Sequence, residues 1–185
     1  MGRFFTMSIL AIDTAASRTS VVIIEDGKVV FNESRDGAMS HGPALPELVS
    51  AAIANREITE VLVGMGPGPY TGLRVGITFA QTFAWARNIP VRGFCSLDAI
   101  AAQVDESDFI VAIDARRKEV YWARYTSGVR VEGPAVDLPS VVAERGIKII
   151  DTLFPGPRYF AQLTEEFAEP IYLRRPDAVA TADRK

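Results

Sequence analysis

The chain has 185 residues, 48% of them hydrophobic, and a net charge of −3, which is enough for one ordinary domain or two small ones with a real core. The acidic balance excludes a global basic field for nucleic acid, so any RNA contact would be local or shared with a partner. A single cysteine excludes an internal disulfide. With no apolar run long enough to span a membrane and no room for a secretory signal before Met7, we expect a cytoplasmic protein that makes no membrane contact.

The first predicted strands form a unit that occurs twice. Ile9–Ile12 predicts a buried strand that ends in Asp13. Two further strands, Val21–Ile24 and Val29–Phe31, flank Asp26-Gly27, which is a strong hairpin signal. The same order returns later as Ile110–Ile113 before Asp114, then Val120–Ala123, Ser127-Gly128 and Val129–Val131. Such self-similarity indicates a duplicated architecture.

Helical patterns fill the space between the two units. The segment from His41 to Arg56 carries apolar residues at helical spacing, and Ser40 is placed to be its N-cap. The remaining predicted elements of this half are a buried strand at 61–63, a helix at 73–87, a short strand at 91 and a helix at 96–103. This alternation predicts an α/β fold with mixed sheets.

The glycine-rich loop Gly64–Gly76 is the most informative stretch. Gly66, Gly68 and Gly72 let the backbone turn tightly and approach a ligand closely, and a following helix offers unpaired N–H groups to an anion. However, their spacing is one residue too long for a dinucleotide fingerprint, no Gly-Lys-Ser/Thr follows as a P-loop requires, and two prolines remove donors. A phosphate site and a structural strand-to-helix crossover both stay open, and the pattern favours the structural one.

The predicted helix Leu73–Arg87 is apolar around well over half its circumference, which is typical of a helix buried on more than one side. One side faces the sheet, and the other faces either the first helix or a second polypeptide. Trp85, an aromatic residue in the polar stripe, favours an interface. The predicted partner surface comprises Leu45, Leu48, Arg74, Thr78, Phe79, Gln81 and Trp85, presented by a loop that Gly66, Gly68, Thr71 and Gly72 position.

The C-terminal half predicts fewer elements than the first. They are a helix at Pro139–Arg145, a strand at Ile147–Ile150, a helix at Arg158–Ala168 and the tail Ile171–Arg174. Neither a long adenine-binding insertion nor a second glycine turn is visible in this half. We expect an N-terminal lobe over residues 7–106 and an abbreviated C-terminal lobe over residues 107–185.

Few side chains are candidates for chemistry, and none is assigned as catalytic, cofactor-binding or metal-ligating. His41 is the only histidine, and its position at a helix start indicates a capping or surface role. Asp13 and Asp114 end strands, where a carboxylate can serve magnesium or cap the following turn. Cys95 is typical of a small buried residue. Arg116-Arg117-Lys118 is interpreted as a solvated hairpin tip, with an RNA or partner contact as the alternative.

Taken as an ordered set, four motifs resemble the TsaB (YeaZ) family. They are Ile-Leu-Ala-Ile-Asp-Thr-Ala at 9–15, Gly-Pro-Gly-Pro-Tyr-Thr-Gly-Leu-Arg-Val-Gly at 66–76, Ala-Ile-Asp-Ala-Arg with Glu-Val-Tyr-Trp-Ala at 112–123, and Glu-Pro-Ile-Tyr-Leu-Arg at 169–174. The resemblance covers nearly the whole chain from Met7. It implies an actin-like, heat-shock-ATPase-like (ASKHA) fold with a duplicated βββαβα unit and a shortened C-terminal lobe.

The resemblance also implies a role in making threonylcarbamoyladenosine beside the anticodon of tRNA. It makes the chain a non-catalytic scaffold for the transferase TsaD. The implied partners are a TsaD-like transferase, a TsaE-like ATPase, a second copy of the chain and, only indirectly, tRNA. It implies no cofactor, apart from a nucleotide at an interface shared in the complex. A His-x-x-x-His metal motif of TsaD aligns with Ser96 and Ile100, so no metal site is expected here.

The alternative function is an ATP-dependent phosphotransferase or ATPase that uses Asp13, Asp114 and the glycine-rich loop.

Overall fold

The computed structural model describes residues 7–37, 40–156 and 166–174. In these ranges the chain forms two mixed sheets with helices packed on them, which is the α/β class that the sequence predicts. In chain order the elements are β1 Ser8–Asp13, β2 Arg18–Glu25, β3 Lys28–Asp36, α1 His41–Ala52, β4 Glu60–Gly64, α2 Tyr70–Arg87, β5 Val91–Phe94, α3 Ser96–Ala101, β6 Asp108–Asp114, β7 Val120–Thr126, β8 Val129–Asp137, α4 Pro139–Ala143 and β9 Ile149–Ile150.

The first sheet has the strand order β3-β2-β1-β4-β5. β2 runs antiparallel to β1 and β3, with Leu10 opposite Ile23, whereas β4 runs parallel to β1 and β5 parallel to β4. The β2–β3 connection is the predicted hairpin. Asp26 and Gly27 both have positive φ, 48° and 76°, as the two central residues of a type I′ turn require.

The second sheet repeats this arrangement with the order β8-β7-β6-β9. β6 is flanked by the antiparallel β7 and the parallel β9, as β1 is flanked by β2 and β4. Ser127 and Gly128 form the equivalent hairpin turn, with φ of 50° and 77°. The predicted duplication is therefore confirmed: the first lobe begins with the order βββαβα and adds β5 and α3, and the described part of the second repeats βββαβ.

α1 and α2 lie side by side on one face of the first sheet. Their apolar residues share a core with the inward residues of β1, β2 and β4, including Leu45, Leu48, Leu73, Ile77, Leu10, Val21 and Val63. α3 lies between the two sheets, because its Ala99 packs on the opposite face of the first sheet and its Leu97 and Ile100 join the core of the second. The two lobes therefore share a continuous packed boundary.

The ends of several helices differ from the predicted ones. α1 ends at Ala52 rather than Arg56, since the chain turns there and reaches Asn55 with a positive φ of 62°. α2 begins at Tyr70, directly after Pro69, whose fixed φ suits the residue that precedes a helix. Residues 158–165 of the predicted helix at 158–168 lie outside the described residues, and its last residues are not helical. In the described part of the chain, every helix is too short or too polar to span a membrane.

Residues 166–174, named the strap below, connect the two lobes. The strap donates backbone hydrogen bonds to the carbonyl oxygens of Gly93 (3.1 Å) and Met65 (2.8 Å), which both belong to the first lobe. At its end, Arg174 donates from Nη1 to the carbonyl oxygen of Ala115 (3.0 Å), in the turn between β6 and β7. The strap thus runs from the edge of the first sheet to the central hairpin of the second.

Candidate functional site

The glycine-rich loop packs against the turn between β1 and β2. A Cβ at Gly68 would overlap the backbone oxygen of Ala15 and lie 2.8 Å from its Cα. A Cβ at Gly72 would lie 2.7 Å from the carbonyl oxygen of Thr14, and one at Gly76 would overlap the Thr14 hydroxyl oxygen. That hydroxyl donates to the Gly72 carbonyl oxygen (2.8 Å). The glycines allow two backbone segments to touch, which supports the structural interpretation of the loop.

The other two residues assigned to the loop behave differently from each other. Gly66 has a φ of 99°, which residues with a side chain rarely adopt, and its carbonyl oxygen accepts from the Ser96 N–H (2.8 Å). Thr71 lies exposed on the first turn of α2. Gly66 therefore holds the loop against α3, while Thr71 belongs to the outer surface of α2.

Asp13 ends β1 and is buried, with 1% of its surface exposed. Its Oδ2 accepts from the Ser96 hydroxyl (2.6 Å), and its Oδ1 accepts from the Ala15 N–H (3.0 Å). A Cβ at Gly64 would overlap the carboxylate. Burial raises the pKa of Asp13 to about 6, although the two hydrogen bonds oppose this rise. The carboxylate caps its own turn and is shielded from solvent by the glycine-rich loop and α3.

Asp114 ends β6 and is the counterpart of Asp13 in the second lobe. Its Oδ1 accepts from the Arg116 N–H (2.9 Å), which is the same bond to the second residue along the chain. Unlike Asp13, it is exposed. Of the two roles that the sequence leaves open for Asp114, the structure shows turn capping. The two lobes carry the same turn with opposite burial.

His41 is buried, so the prediction of a surface role is wrong. Its Nδ1 lies 2.7 Å from the Thr19 hydroxyl oxygen, and its Nε2 lies 3.4 Å from the position of a Cβ at Gly72. Burial lowers the pKa of His41, a hydrogen bond with the Ala16 backbone opposes this, and the charge of Arg116 lowers it further. The start of α1 is covered by the β1–β2 turn and by the first turn of α2.

Cys95 and the two positions aligned with the metal motif are also buried. The burial of Cys95 confirms its interpretation as a small buried residue, and the same burial raises the pKa of its thiol to about 12. Ser96 donates to Asp13, and Ile100 packs in the core of the second sheet. Among the residues that the structure describes, no three His, Cys, Asp or Glu side chains are placed to hold a metal ion together.

The predicted partner surface is only partly exposed. Leu45 and Leu48 are 0% and 2% exposed because α1 turns them towards the sheet, so neither side chain belongs to a docking surface in this conformation. Phe79 is half-buried against the same core. The remaining four residues, Arg74, Thr78, Gln81 and Trp85, are exposed along α2 and are named the α2 stripe below. α1 is the second packing partner of α2, as one of the two sequence alternatives had it.

Some residues of the site are not found by sequence reasoning. Tyr70 and Tyr172 place their ring centroids 5.1 Å apart, and Arg74 donates from Nη1 to the Tyr70 hydroxyl oxygen (2.8 Å). Sequence reasoning treats Ser96 only as a lost metal ligand, whereas it is the main partner of Asp13. The signal for the Tyr70–Tyr172 and Asp13–Ser96 pairs is weak, since both pairs are distant in sequence.

Comparison with known proteins points to one group. Residues 17–176 match the family model TsaD, tRNA N6-adenosine threonylcarbamoyltransferase. A Mycobacterium leprae protein is 39% identical, over 96% of this chain and 58% of its own length. TsaB of Bacillus subtilis, a tRNA threonylcarbamoyladenosine biosynthesis protein, is 30% identical over 80% of this chain and 65% of its own length. The chain therefore spans less than two thirds of these two curated relatives.

A solved structure shows the same fold. The crystal structure of a Pseudomonas aeruginosa protein with similarity to the peptidase YeaZ superposes with a TM-score of 0.76 at 23% sequence identity. The superposition covers 91% of this chain and 100% of the Pseudomonas aeruginosa chain. The similarity supports the duplicated two-lobed arrangement derived above.

The close contact of the glycine-rich loop can be tested with an alanine scan of two glycines. Gly68→Ala should lower the free energy of unfolding by about 2 kcal/mol or more, because the new Cβ meets the Ala15 backbone, which cannot move aside without shifting β1. Gly42→Ala is the matched control, since nothing lies within 4 Å of its Cβ position. Urea unfolding measures both, and equal stabilities of the two variants would contradict the tight contact.

The burial of Asp13 links stability to pH. Its pKa rises from 3.8 to about 6 on folding, so its contribution to stability is complete below the lower value and is lost as pH rises through the upper one. At roughly 1.4 kcal/mol per pH unit, this loss is at most about 3 kcal/mol. Asp13→Asn should abolish it, since the amide keeps the bond to Ala15 without a charge. Urea unfolding at a series of pH values measures the difference.

The matched control for this experiment is Asp114→Asn, which makes the same exchange in the same type of turn at an exposed site. It should leave the pH dependence of the parent protein in place. If both variants follow the same stability curve between about pH 4 and about pH 7, Asp13 is not shielded from water as the structure indicates.

Proposed function

The chain belongs to the TsaB (YeaZ) family, within the wider TsaD family whose model it matches, and we propose that it is a non-catalytic subunit in the formation of threonylcarbamoyladenosine in tRNA. In this role it supports a TsaD-like transferase, which transfers the threonylcarbamoyl group to the adenosine next to the anticodon. The proposed pathway rests on the names of the relatives. The proposal of a scaffold rather than a catalyst rests on the described residues.

The burial of Asp13 is the observation that carries the non-catalytic assignment. An enzyme with an actin-like fold needs a strand-end carboxylate that reaches magnesium or the attacking water. Here Ser96 and Ala15 occupy both carboxylate oxygens, and Gly64 leaves no room beside them. We therefore expect no cofactor of its own for this chain and a nucleotide only at an interface shared in the complex.

The α2 stripe is the proposed partner surface. Trp85 is 84% exposed near the end of an 18-residue helix that is anchored to the core along its other side. A large indole held in solvent on a rigid element is a typical hot spot of protein interfaces. Arg74, Thr78 and Gln81 provide polar contacts around it, and a stable interface there would bury on the order of 1,600 Å² in total.

A TsaD-like transferase fits this surface because the chain itself matches the TsaD family model. Two chains of the same fold can pair through the same helices about an approximate twofold axis, and two copies of this chain can pair about an exact one. Self-association and transferase binding would then compete for the α2 stripe. A TsaE-like ATPase completes the proposed complex, which we expect to act on cytoplasmic tRNA.

Introducing a negative charge at the C-terminal end of the α2 stripe tests the partner surface. Trp85→Glu should weaken binding to a TsaD-like transferase by about thirtyfold or more, which corresponds to the loss of a hot spot of about 2 kcal/mol. Stability should stay within about 0.5 kcal/mol of the parent, because the side chain is exposed. Co-elution on size exclusion and titration calorimetry measure the association.

Val129→Glu is the matched control, since Val129 is an exposed apolar residue of β8 in the other lobe. This variant should bind the transferase as the parent protein does. A Trp85→Glu protein that still co-elutes with the transferase would exclude the α2 stripe. In that case, loss of binding in Val129→Glu would move the interface to the second lobe.

The non-catalytic assignment has its own test. The isolated chain, mixed with ATP and magnesium, should show no turnover in a coupled phosphate-release assay, since its first-lobe carboxylate is sealed. Added to a TsaD-like transferase and a TsaE-like ATPase, it should restore tRNA modification. Turnover by the chain alone would revive the ATPase alternative, and a transferase that is equally active without it would remove the proposed role.

A further inference from the structure

Tyr70 and Tyr172 form an exposed aromatic pair where the strap crosses the start of α2. Their ring centroids are 5.1 Å apart with an angle of 42° between the ring planes, and they are 38% and 41% exposed. The guanidinium of Arg74 lies 5.3 Å from the Tyr70 ring centroid. Three flat π surfaces are thus accessible from solvent at one place, on two segments that the strap's backbone hydrogen bonds hold together.

The turn between β6 and β7 presents consecutive cations on an unusual backbone. Arg116, Arg117 and Lys118 are all exposed and all have positive φ, at 65°, 53° and 64°. This left-handed conformation is unfavourable for residues other than glycine, and a run of three is rare. Two backbone hydrogen bonds close the turn. The Ala115 N–H donates to the Glu119 carbonyl oxygen (2.9 Å), and the Glu119 N–H donates to the Arg116 carbonyl oxygen (3.0 Å). Such strain motivates a functional hypothesis, because a glycine-containing turn would fold more easily.

The strap brings the basic turn next to the aromatic pair. Arg174 donates to the carbonyl oxygen of Ala115 (3.0 Å) at the base of the turn, and it lies two residues beyond Tyr172. The same guanidinium pairs with Glu119 on the other side of the turn. Arg174 therefore connects the base of the cationic turn to the segment that carries Tyr172, one of the two exposed rings.

The charges around the basic turn and the aromatic pair are mostly positive. The cations of this surface outnumber its carboxylates: they are Arg74, Arg116, Arg117, Lys118 and Arg174, against Asp114, Glu119 and Glu169. In a chain with a net charge of −3, this is a local basic surface.

We propose, building on the proposed function, that this surface binds single-stranded RNA directly. Bases stack on Tyr70 and Tyr172, and phosphates pair with Arg116 and Lys118. Aromatic side chains and arginine planes are the usual platforms for unstacked bases, and adjacent cations follow the backbone. An acidic peptide would form ion pairs with the cations, but it would not stack on the exposed faces of the tyrosine rings. The tRNA contact of this chain is then direct, rather than only mediated by the complex.

The first arm of the test removes the charges without adding backbone strain. Asparagine tolerates the left-handed conformation, so Arg116→Asn with Lys118→Asn keeps the turn while deleting two cations. Lys28→Gln with Arg35→Gln is the control, since it removes the same charge from β3 at the far edge of the first sheet. Binding of a fluorescein-labelled single-stranded RNA of about 12 nucleotides is followed by anisotropy at several salt concentrations.

The parent and the β3 control should bind the RNA with the same affinity and salt dependence. The turn variant should bind about tenfold more weakly, and the slope of log K against log salt should become shallower by about 1.4, since two phosphate contacts are lost. An unchanged slope in the turn variant would overturn the inference, as would equal losses in both double variants. Failure of the parent protein to bind the RNA at low salt would also overturn it.

The second arm separates stacking from charge. Tyr172→Ala should weaken RNA binding by about tenfold with little change in salt slope, and Tyr172→Phe, which keeps the ring, should bind as the parent does. A polyaspartate peptide that displaces the RNA at equal concentration would identify an acidic protein segment as the occupant and overturn the inference. RNA binding is measured on the chain alone and transferase binding through Trp85, so the two proposals can fail separately.

Discussion

The contact between the glycine-rich loop and the β1–β2 turn is the constraint on which the rest of the structure depends. Gly68, Gly72 and Gly76 let two backbone segments approach to a distance that no side chain would allow. This contact fixes where α2 begins and which of its faces meets the sheet. It also closes the end of β1, so that Asp13 is shielded and the start of α1 is covered at His41. Core packing, helix presentation and the burial of the Asp13 carboxylate follow from one steric arrangement.

The two duplicated halves contain the same type of turn, but one turn is buried and the other is exposed. In each lobe an aspartate at the end of the first strand accepts a hydrogen bond from the second residue that follows. In the first lobe the glycine-rich loop covers that turn and excludes solvent. In the second lobe the equivalent turn stays open and carries three exposed cations. The two equivalent turns therefore differ in burial: the one in the first lobe is closed, and the one in the second lobe is open to solvent.

Sequence reasoning succeeds here where the determinants are local. Asp26-Gly27 and Ser127-Gly128 specify their hairpins because only left-handed residues fit the turn, and unbroken apolar runs specify the central strands. It fails where the determinant is a contact between distant segments. The partnership of Asp13 with Ser96 joins residues 83 positions apart, and nothing near either residue indicates it. The same limit explains Leu45 and Leu48: periodicity shows that a helix has an apolar face, but not what covers that face.

The strap also decides how the two lobes can move. Its hydrogen bonds to Gly93 and Met65 belong to one lobe, and the bond from Arg174 to Ala115 belongs to the other. Swinging one lobe away from the other, as a cleft enzyme does to admit its substrate, would therefore require breaking bonds on one side of the strap. Because the strap is bonded to both lobes, their relative position is fixed before any partner binds. Their ordering entropy is lost during folding rather than on association, which lowers the cost of binding any partner to a surface that spans both lobes.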